Sequence, residues 1–419
     1  SIKWKSEVGE LDSFLFDYNE SQQLPGVYPF QRGYVSVSNQ WKVLVSINCD
    51  NTKLSNQLIL KSLSEGANAI RLINPKSSEL NLLFEGVMLD IIHVQIQSPL
   101  HQIEELKTAF ANYCATKSYS FSELDITFFS DSIGDFFKSG VKELNSLDGN
   151  FLVDVNAYAQ GGASIDRQIG LALAHGHEYL VKLIGSGVSS NEAAKRIEFN
   201  WAVGTTYFLE IAKLRAFRAL WAFVLANYGV EKQLCVTKIH SQTSNFHYSN
   251  LDVHTNLLRA TTSAMAAVIG GSDTLEVLPY DYNLLQDKKA TDGQRLAINI
   301  QLILQEEGYL NQVIDAAGGS YFIESITEEL KKKGYGLFQN IEKEGGIVNY
   351  FENGDDSASA EIKGHDFKNC SDENVIDFWF CVTWIGKLKQ ISIGIALVVF
   401  QIWIIKIFCV TERIWHFVV

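Results

Sequence analysis

Several groups of polar and aromatic residues stand where an apolar run ends, the position from which side chains can act on a ligand. His240-Ser-Gln242-Thr-Ser244 is the most suggestive. A histidine at the end of a strand, followed two positions on by a glutamine, presents both side chains to one face. Asn156, Tyr158 and Gln160 follow another apolar run and lead into Gly161-Gly162, and Tyr280, Asp281 and Tyr282 follow a third. These groups are fit to hydrogen-bond a substrate; the competing reading of each is the capping of a loop. The turn-rich segment Pro25-Gly-Val-Tyr28-Pro-Phe30-Gln-Arg32-Gly33 reads as a surface loop. It also joins stacking and anion-binding groups, with Tyr28 and Arg32 suited to a ligand entrance. The remaining histidines are weaker candidates. His175 and His177 sit two apart in a helical stretch, face different sides and read as surface residues. His247 and His254 lack the spacing of a helical zinc pair, and no metal site is expected. The pairs Gly161-Gly162, Gly270-Gly271 and Gly318-Gly319 read as caps or tight turns.

Positioning these residues requires a repeating scaffold. Ile197-Glu-Phe-Asn-Trp-Ala-Val203 is a short apolar run, and after Gly204 the period changes to a helix through Trp221. The same beat recurs along the chain. Strands are predicted over 40–47, 69–73, 90–95, 124–129, 151–157, 197–203, 234–240 and 274–279. Helices are predicted over 54–64, 101–114, 165–184, 252–269 and 294–305. Eight strand-helix units over roughly 270 residues match the count and size of an α/β fold of the (β/α)8, or TIM-barrel, type. A doubly wound open sheet is the competitor, but no G-x-G-x-x-G follows the first strand. In a barrel the strand ends form the active face, which selects the same residues again.

The composition is that of a globular protein: 419 residues, 47% apolar and 20% charged, with a net charge of −13. The acidic balance and the lack of a basic run argue against a nucleic-acid partner. Six dispersed cysteines without a C-x-x-C pair fit a reducing, cytoplasmic compartment. The first residues are polar, with no signal peptide and no initiator Met. Residues 1–33 read as a lead-in and loop, 34–346 as the barrel, and 347–419 as an atypical, irregular and apolar tail. In that tail Ile391–Ile405 is almost continuously apolar but short of the roughly 20 residues a bilayer span needs. A membrane anchor, a buried helix and a frame-shifted end are the three readings; the abrupt change of composition favours the last.

The longer motifs resemble the adenosylcobalamin-dependent acyl-CoA mutases. The matching stretches are His240-Ser-Gln-Thr-Ser244, Asn256-Leu-Leu-Arg-Ala-Thr-Thr262, Ala266-Ala-Val-Ile-Gly-Gly271, Phe208-Leu-Glu-Ile-Ala-Lys-Leu-Arg-Ala216, Asn299-Ile-Gln-Leu-Ile-Leu-Gln-Glu-Glu307 and Gly318-Gly-Ser-Tyr-Phe-Ile-Glu324. They run in the family's order between Pro25 and Gly346. The resemblance implies a TIM barrel that threads the pantetheine chain of an acyl-CoA along its axis. It also implies radical rearrangement of methylmalonyl-CoA to succinyl-CoA, in which the cofactor carries the chemistry and the protein shields it.

Three departures decide which branch of the family is implied. The catalytic chains carry a Tyr-His pair after the fifth strand; here Tyr158 stands and Ala159 takes the histidine's place. After Arg32-Gly33 the chain continues Tyr34-Val-Ser-Val-Ser-Asn-Gln-Trp41, a small-subunit pattern. The cobalamin motif D-x-H-x-x-G is absent: Asp252-Val-His254 has Leu257 where Gly belongs. The resemblance therefore implies a non-catalytic small subunit paired with a large one, with adenosylcobalamin on the large subunit. Tyr158, Gln160, His240 and Gln242 would then be vestiges of a substrate face, and a retained acyl-CoA site remains an alternative.

Overall fold

The computed structural model describes residues 24–353 apart from 36, 118, 140–148 and 285–291, together with the backbone of 3–6 and 9–12. These residues fall within one compact unit, Ser1–His365. Eight strands form a closed barrel: β1 Lys42–Asn48, β2 Ala69–Ile73, β3 His93–Gln97, β4 Ile126–Ser130, β5 Asn150–Asp154, β6 Ile197–Val203, β7 Ile239–Thr243 and β8 Thr274–Glu276. Each pairs in parallel with its sequence neighbour. Thr274 closes the ring, lying opposite both Lys42 and His240. The expected (β/α)8 class is therefore the observed one.

Strand β6 explains why the fold forms. All seven of its residues are buried, because helices cover one face and the barrel axis lies under the other. Phe199 and Trp201 point outward into the helix Tyr207–Asn227, where Phe217 lies 4.6 Å and 4.7 Å from them between ring centres and Trp221 lies 5.0 Å from Phe199. The neighbouring helix Ile165–Gly185 approaches the same cluster at Gly176, where a Cβ would sit 2.6 Å from Phe199 and 2.9 Å from Trp221.

The helix Tyr207–Asn227 is largely buried on its outer side as well, and Arg215 and Arg218 are held there by polar partners. Arg215 pairs with Asp315 and, at 2.5 Å, with Glu324. Arg32 reaches the same Asp315 at 2.6 Å, while Gln31 donates to Glu324 at 3.1 Å and accepts from Lys331 at 3.0 Å. Arg218 donates to the carbonyls of Gly270 and Gly271, and Tyr34 donates to Asp273. The segment 24–41 is thereby fastened beside the residues that precede β8, at the end of the barrel where the strands begin.

Several expected boundaries move. The seventh strand begins at Ile239, not Leu234. Lys232–Leu234 is a 3-10 turn, and the Cys235 thiol donates to the carbonyls of Val230 and Glu231, which holds this apolar run in a loop. Extended pairing starts where the Asp273 carboxylate accepts from the Ile239 amide. His240 is consequently the second residue of its strand, not the last. The fifth strand stops at Asp154, and Val155–Gln160 is a short helix. The helix Ile347–Asn353 packs on the barrel through Phe351, whose ring lies 4.6 Å from Phe137. The apolar run Ile391–Ile405 lies outside the described residues; among those described, no helix is long and apolar enough to cross a membrane.

Candidate functional site

Every barrel strand sends at least one side chain toward the axis, and these chains meet in layers. At the floor, His93 shares a hydrogen bond with Asp125 at 2.8 Å, and Asp125 also pairs with Lys42. Gln95 lies 3.1 Å from His93 Nε2 and 3.2 Å from His240 Nδ1. His240 in turn bonds Glu198 at 2.7 Å through Nε2 and Thr274 at 2.8 Å through Nδ1, with the Phe129 ring edge-on against it. Glu198 completes the row with Lys238 at 3.5 Å.

Above this floor stands Arg71, 3% exposed, which donates to Gln95 Oε1 at 2.7 Å and to Asn200 Oδ1 at 3.1 Å. Burial pushes its guanidinium pKa down, while the surrounding Glu276, Asp154 and Glu198 carboxylates favour the charge. At the mouth, Glu276 accepts from the Ser46 amide at 2.9 Å, the Ser46 hydroxyl at 2.7 Å and Gln242 at 2.8 Å. Asn156 donates to Gln242 at 2.7 Å, and Asn200 donates to Asp154 at 3.1 Å. Gln160 reaches Asn156 at 3.4 Å and Asn245 at 3.2 Å.

This geometry sorts the residues singled out in the sequence. Gln242, Asn156 and Gln160 are brought together at the mouth. His240 shares their face but lies in the floor, two strand residues below Gln242. Tyr158 is turned away from the axis: it is 2% exposed, and its hydroxyl meets His175 Nδ1 at 2.8 Å within the helix layer. Burial and the nearby Asp131 raise its phenol well above the usual range. His175 is a correction, since it is buried rather than superficial and its Nε2 stands 3.0 Å from Asp131. His247 and His254 do not share a helix face; the helix begins after His254, at Thr255. Arg32 is engaged by Asp315 and so is not a free anion-binding group, and Tyr28 packs edge-on against Phe30 under Lys232. Among the described residues no group of three or more metal-ligating side chains is placed to hold an ion.

Sequence reasoning missed Arg71, Gln95, Glu198, Asn200 and Glu276. The signal was present: each is a polar residue flanked by apolar ones in a short buried strand, so alternation points it at the axis.

The floor also has a pH signature. Burial, helped by Lys42 and His240 and opposed by Asp125, pushes His93 down to about 4 from its usual 6.5. The unfolded chain therefore binds the extra proton between those values, and stability falls as pH drops through that window. The contribution is complete above pH 6.5 and amounts to a few kcal/mol, on the order of 3. Urea unfolding at pH 7 and pH 4.5 should show that His93→Gln flattens this slope; an unchanged slope would assign it to other groups.

Residues 109–365 match the family model described as Methylmalonyl-CoA mutase, more than half of the chain. The chain belongs to the methylmalonyl-CoA mutase family. It is 31% identical over 354 residues to the methylmalonyl-CoA mutase small subunit of Porphyromonas gingivalis, covering 79% of this chain and 57% of the relative. It is 32% identical over 347 residues to the small subunit of Streptomyces virginiae, covering 77% and 56% respectively. The large subunit of Porphyromonas gingivalis is 31% identical over 291 residues, or 66% of this chain and 39% of that one. The mutase-family chain thus spans a little over half the length of the small-subunit relatives.

His254, in the partial D-x-H-x-x-G context of Asp252-Val-His254, is exposed and stacks on Tyr280 with ring centres 5.2 Å apart.

Proposed function

We propose that this chain acts as a small, non-catalytic subunit that supports a large methylmalonyl-CoA mutase subunit. On this reading the large subunit holds adenosylcobalamin and isomerises methylmalonyl-CoA to succinyl-CoA. The observation that carries the proposal is the filled axis. A thread-like pantetheine chain needs a lane between the strands, and here Arg71, Gln95, Asn200 and His240 occupy that lane and bond one another. Admitting a ligand would require breaking a buried guanidinium's contacts in a low-dielectric interior, which costs several kcal/mol. Ala159 supports the same reading, since a methyl group cannot donate to a thioester carbonyl. The family relatives in Porphyromonas gingivalis, one named small and one large subunit, support the pairing. Dispersed, buried free cysteines suit a reducing cytoplasm.

The test has two arms. Mixed with the large subunit of its own organism, the chain should co-elute as a heterodimer and raise the activity recovered. Alone, it should bind methylmalonyl-CoA at least roughly 100-fold more weakly than the catalytic chain, about 3 kcal/mol. Turnover by this chain alone with adenosylcobalamin, or failure to associate, would overturn the reading.

A further inference from the structure

We propose that Gln95 couples the protonation of His93 to the hold on Arg71, so that a proton taken up at His93 Nε2 loosens the guanidinium at the barrel axis. The argument is an inventory of donors and acceptors. An arginine can only donate, so the Gln95 atom that faces Arg71 Nε at 2.7 Å must be its carbonyl oxygen. The amide NH2 is then left for the two histidines, 3.1 Å from His93 Nε2 and 3.2 Å from His240 Nδ1. Both of those ring nitrogens must accept. His93 therefore carries its proton on Nδ1, where it donates to Asp125, and His240 carries its own on Nε2, where it donates to Glu198. One amide fixes two tautomers and one guanidinium.

Adding a proton to His93 breaks this arrangement at one point. Nε2 becomes a donor and faces the donating NH2 of Gln95. The conflict is relieved if the amide turns over, which gives its oxygen to His93 and its NH2 to Arg71 Nε. Arg71 then meets a donor where it had an acceptor and keeps only its bond to Asn200. His240 loses the amide but retains Thr274. The charged and titratable groups facing His93 are Asp125 and Lys42 at the barrel end, His240 and Glu198 across the axis, and Arg71 beyond Gln95. Asp125 keeps the bond from the Nδ1–H, so the added proton lies on Nε2, the side that faces Gln95. The low His93 pKa, about 4, keeps the unit in its closed state near neutrality.

The full chain, labelled with nitrogen-15 in histidine and arginine, tests this directly. At pH 7, two-bond spectra should place the protons on His93 Nδ1 and His240 Nε2, with the Arg71 Nε–H protected from exchange. On acidification that protection should fall roughly tenfold or more with the midpoint of His93 titration, while far-UV circular dichroism stays native. Gln95→Glu should uncouple the two, because a carboxylate accepts on both sides: protection should outlast a His93 titration shifted to higher pH. If that variant does not fold, His93→Gln should keep Arg71 protected down to the pH of global unfolding. Arg71 protection that ignores His93 titration in the unaltered chain, that is lost only with global unfolding, or that is lost equally in the variant, would overturn the proposal, as would the opposite tautomers.

Discussion

Arg71→Met should lower the free energy of unfolding by about 3–5 kcal/mol, the cost of removing one partner from a buried ionic set. The side chain fits methionine's volume closely enough that packing is not the main loss. What is lost is the positive charge that faces Glu276, Asp154 and Glu198. Glu276 keeps its donors Ser46 and Gln242, but Gln95 Oε1 and one Asn200 contact are left without a partner. Against a total stability of roughly 5–15 kcal/mol this is a large fraction. Adding Glu276→Gln to the variant should recover part of it, because one uncompensated charge is then removed. Urea unfolding of the single and double variants checks both statements. A loss below about 1 kcal/mol in the single variant would mean that Arg71 is not what balances the carboxylates.

Trp221→Ala should cost about 3–5 kcal/mol by a different route, the transfer of a large apolar side chain plus the cavity left behind. Trp221 is fully buried and touches Phe199 on β6, and it stands over Gly176 of the adjacent helix. Two helices and a strand lean on it, so collapse into the gap would have to move all three. Smaller substitution at the same place should cost less: Trp221→Phe keeps a ring against Phe199 and should retain more than half of the lost stability. Thermal and urea unfolding distinguish these outcomes. Equal destabilisation by both variants would point to the lost indole edge rather than to volume.

The parts of the fold that were legible in the sequence are those where one period dominates. Ala69–Ile73 and Ile197–Val203 are observed with the predicted bounds, since each is a short apolar run cut off by a glycine, an asparagine or a change to helical spacing. The helix predicted from Ile165 ends one residue beyond expectation. The seventh strand slipped because Leu234-Cys-Val is apolar for a reason other than strand pairing, namely packing of a loop whose thiol and backbone are satisfied locally. Spacing reads His175 as a surface residue because the carboxylate beside it, Asp131, lies 44 positions away in sequence, and no spacing rule joins them. The axial network was hidden by the same distance. Arg71 and Asn200 are 129 residues apart and Gln95 and His240 are 145 apart, so only closure of the ring brings them into one site.

The ionic cluster around Asp315 carries a consequence for how the chain comes to be folded. It joins Gln31 to Glu324, Arg32 to Asp315 and Gln31 to Lys331 across separations of 293, 283 and 300 residues. Contacts of such separation reward the chain only after a long loop has been closed, and they slow folding accordingly. During synthesis the segment 24–41 emerges ahead of its partners: Tyr34 waits for Asp273, Arg32 for Asp315, and Gln31 for Glu324 and Lys331. Strands and helices can pair in order behind it, each on the last, while the leading segment waits. The last polar contacts to form are then those that bind the two ends of the described chain together, so a nascent chain interrupted before Asp315 would hold all eight strands while Arg215 and Arg32 both lack that carboxylate.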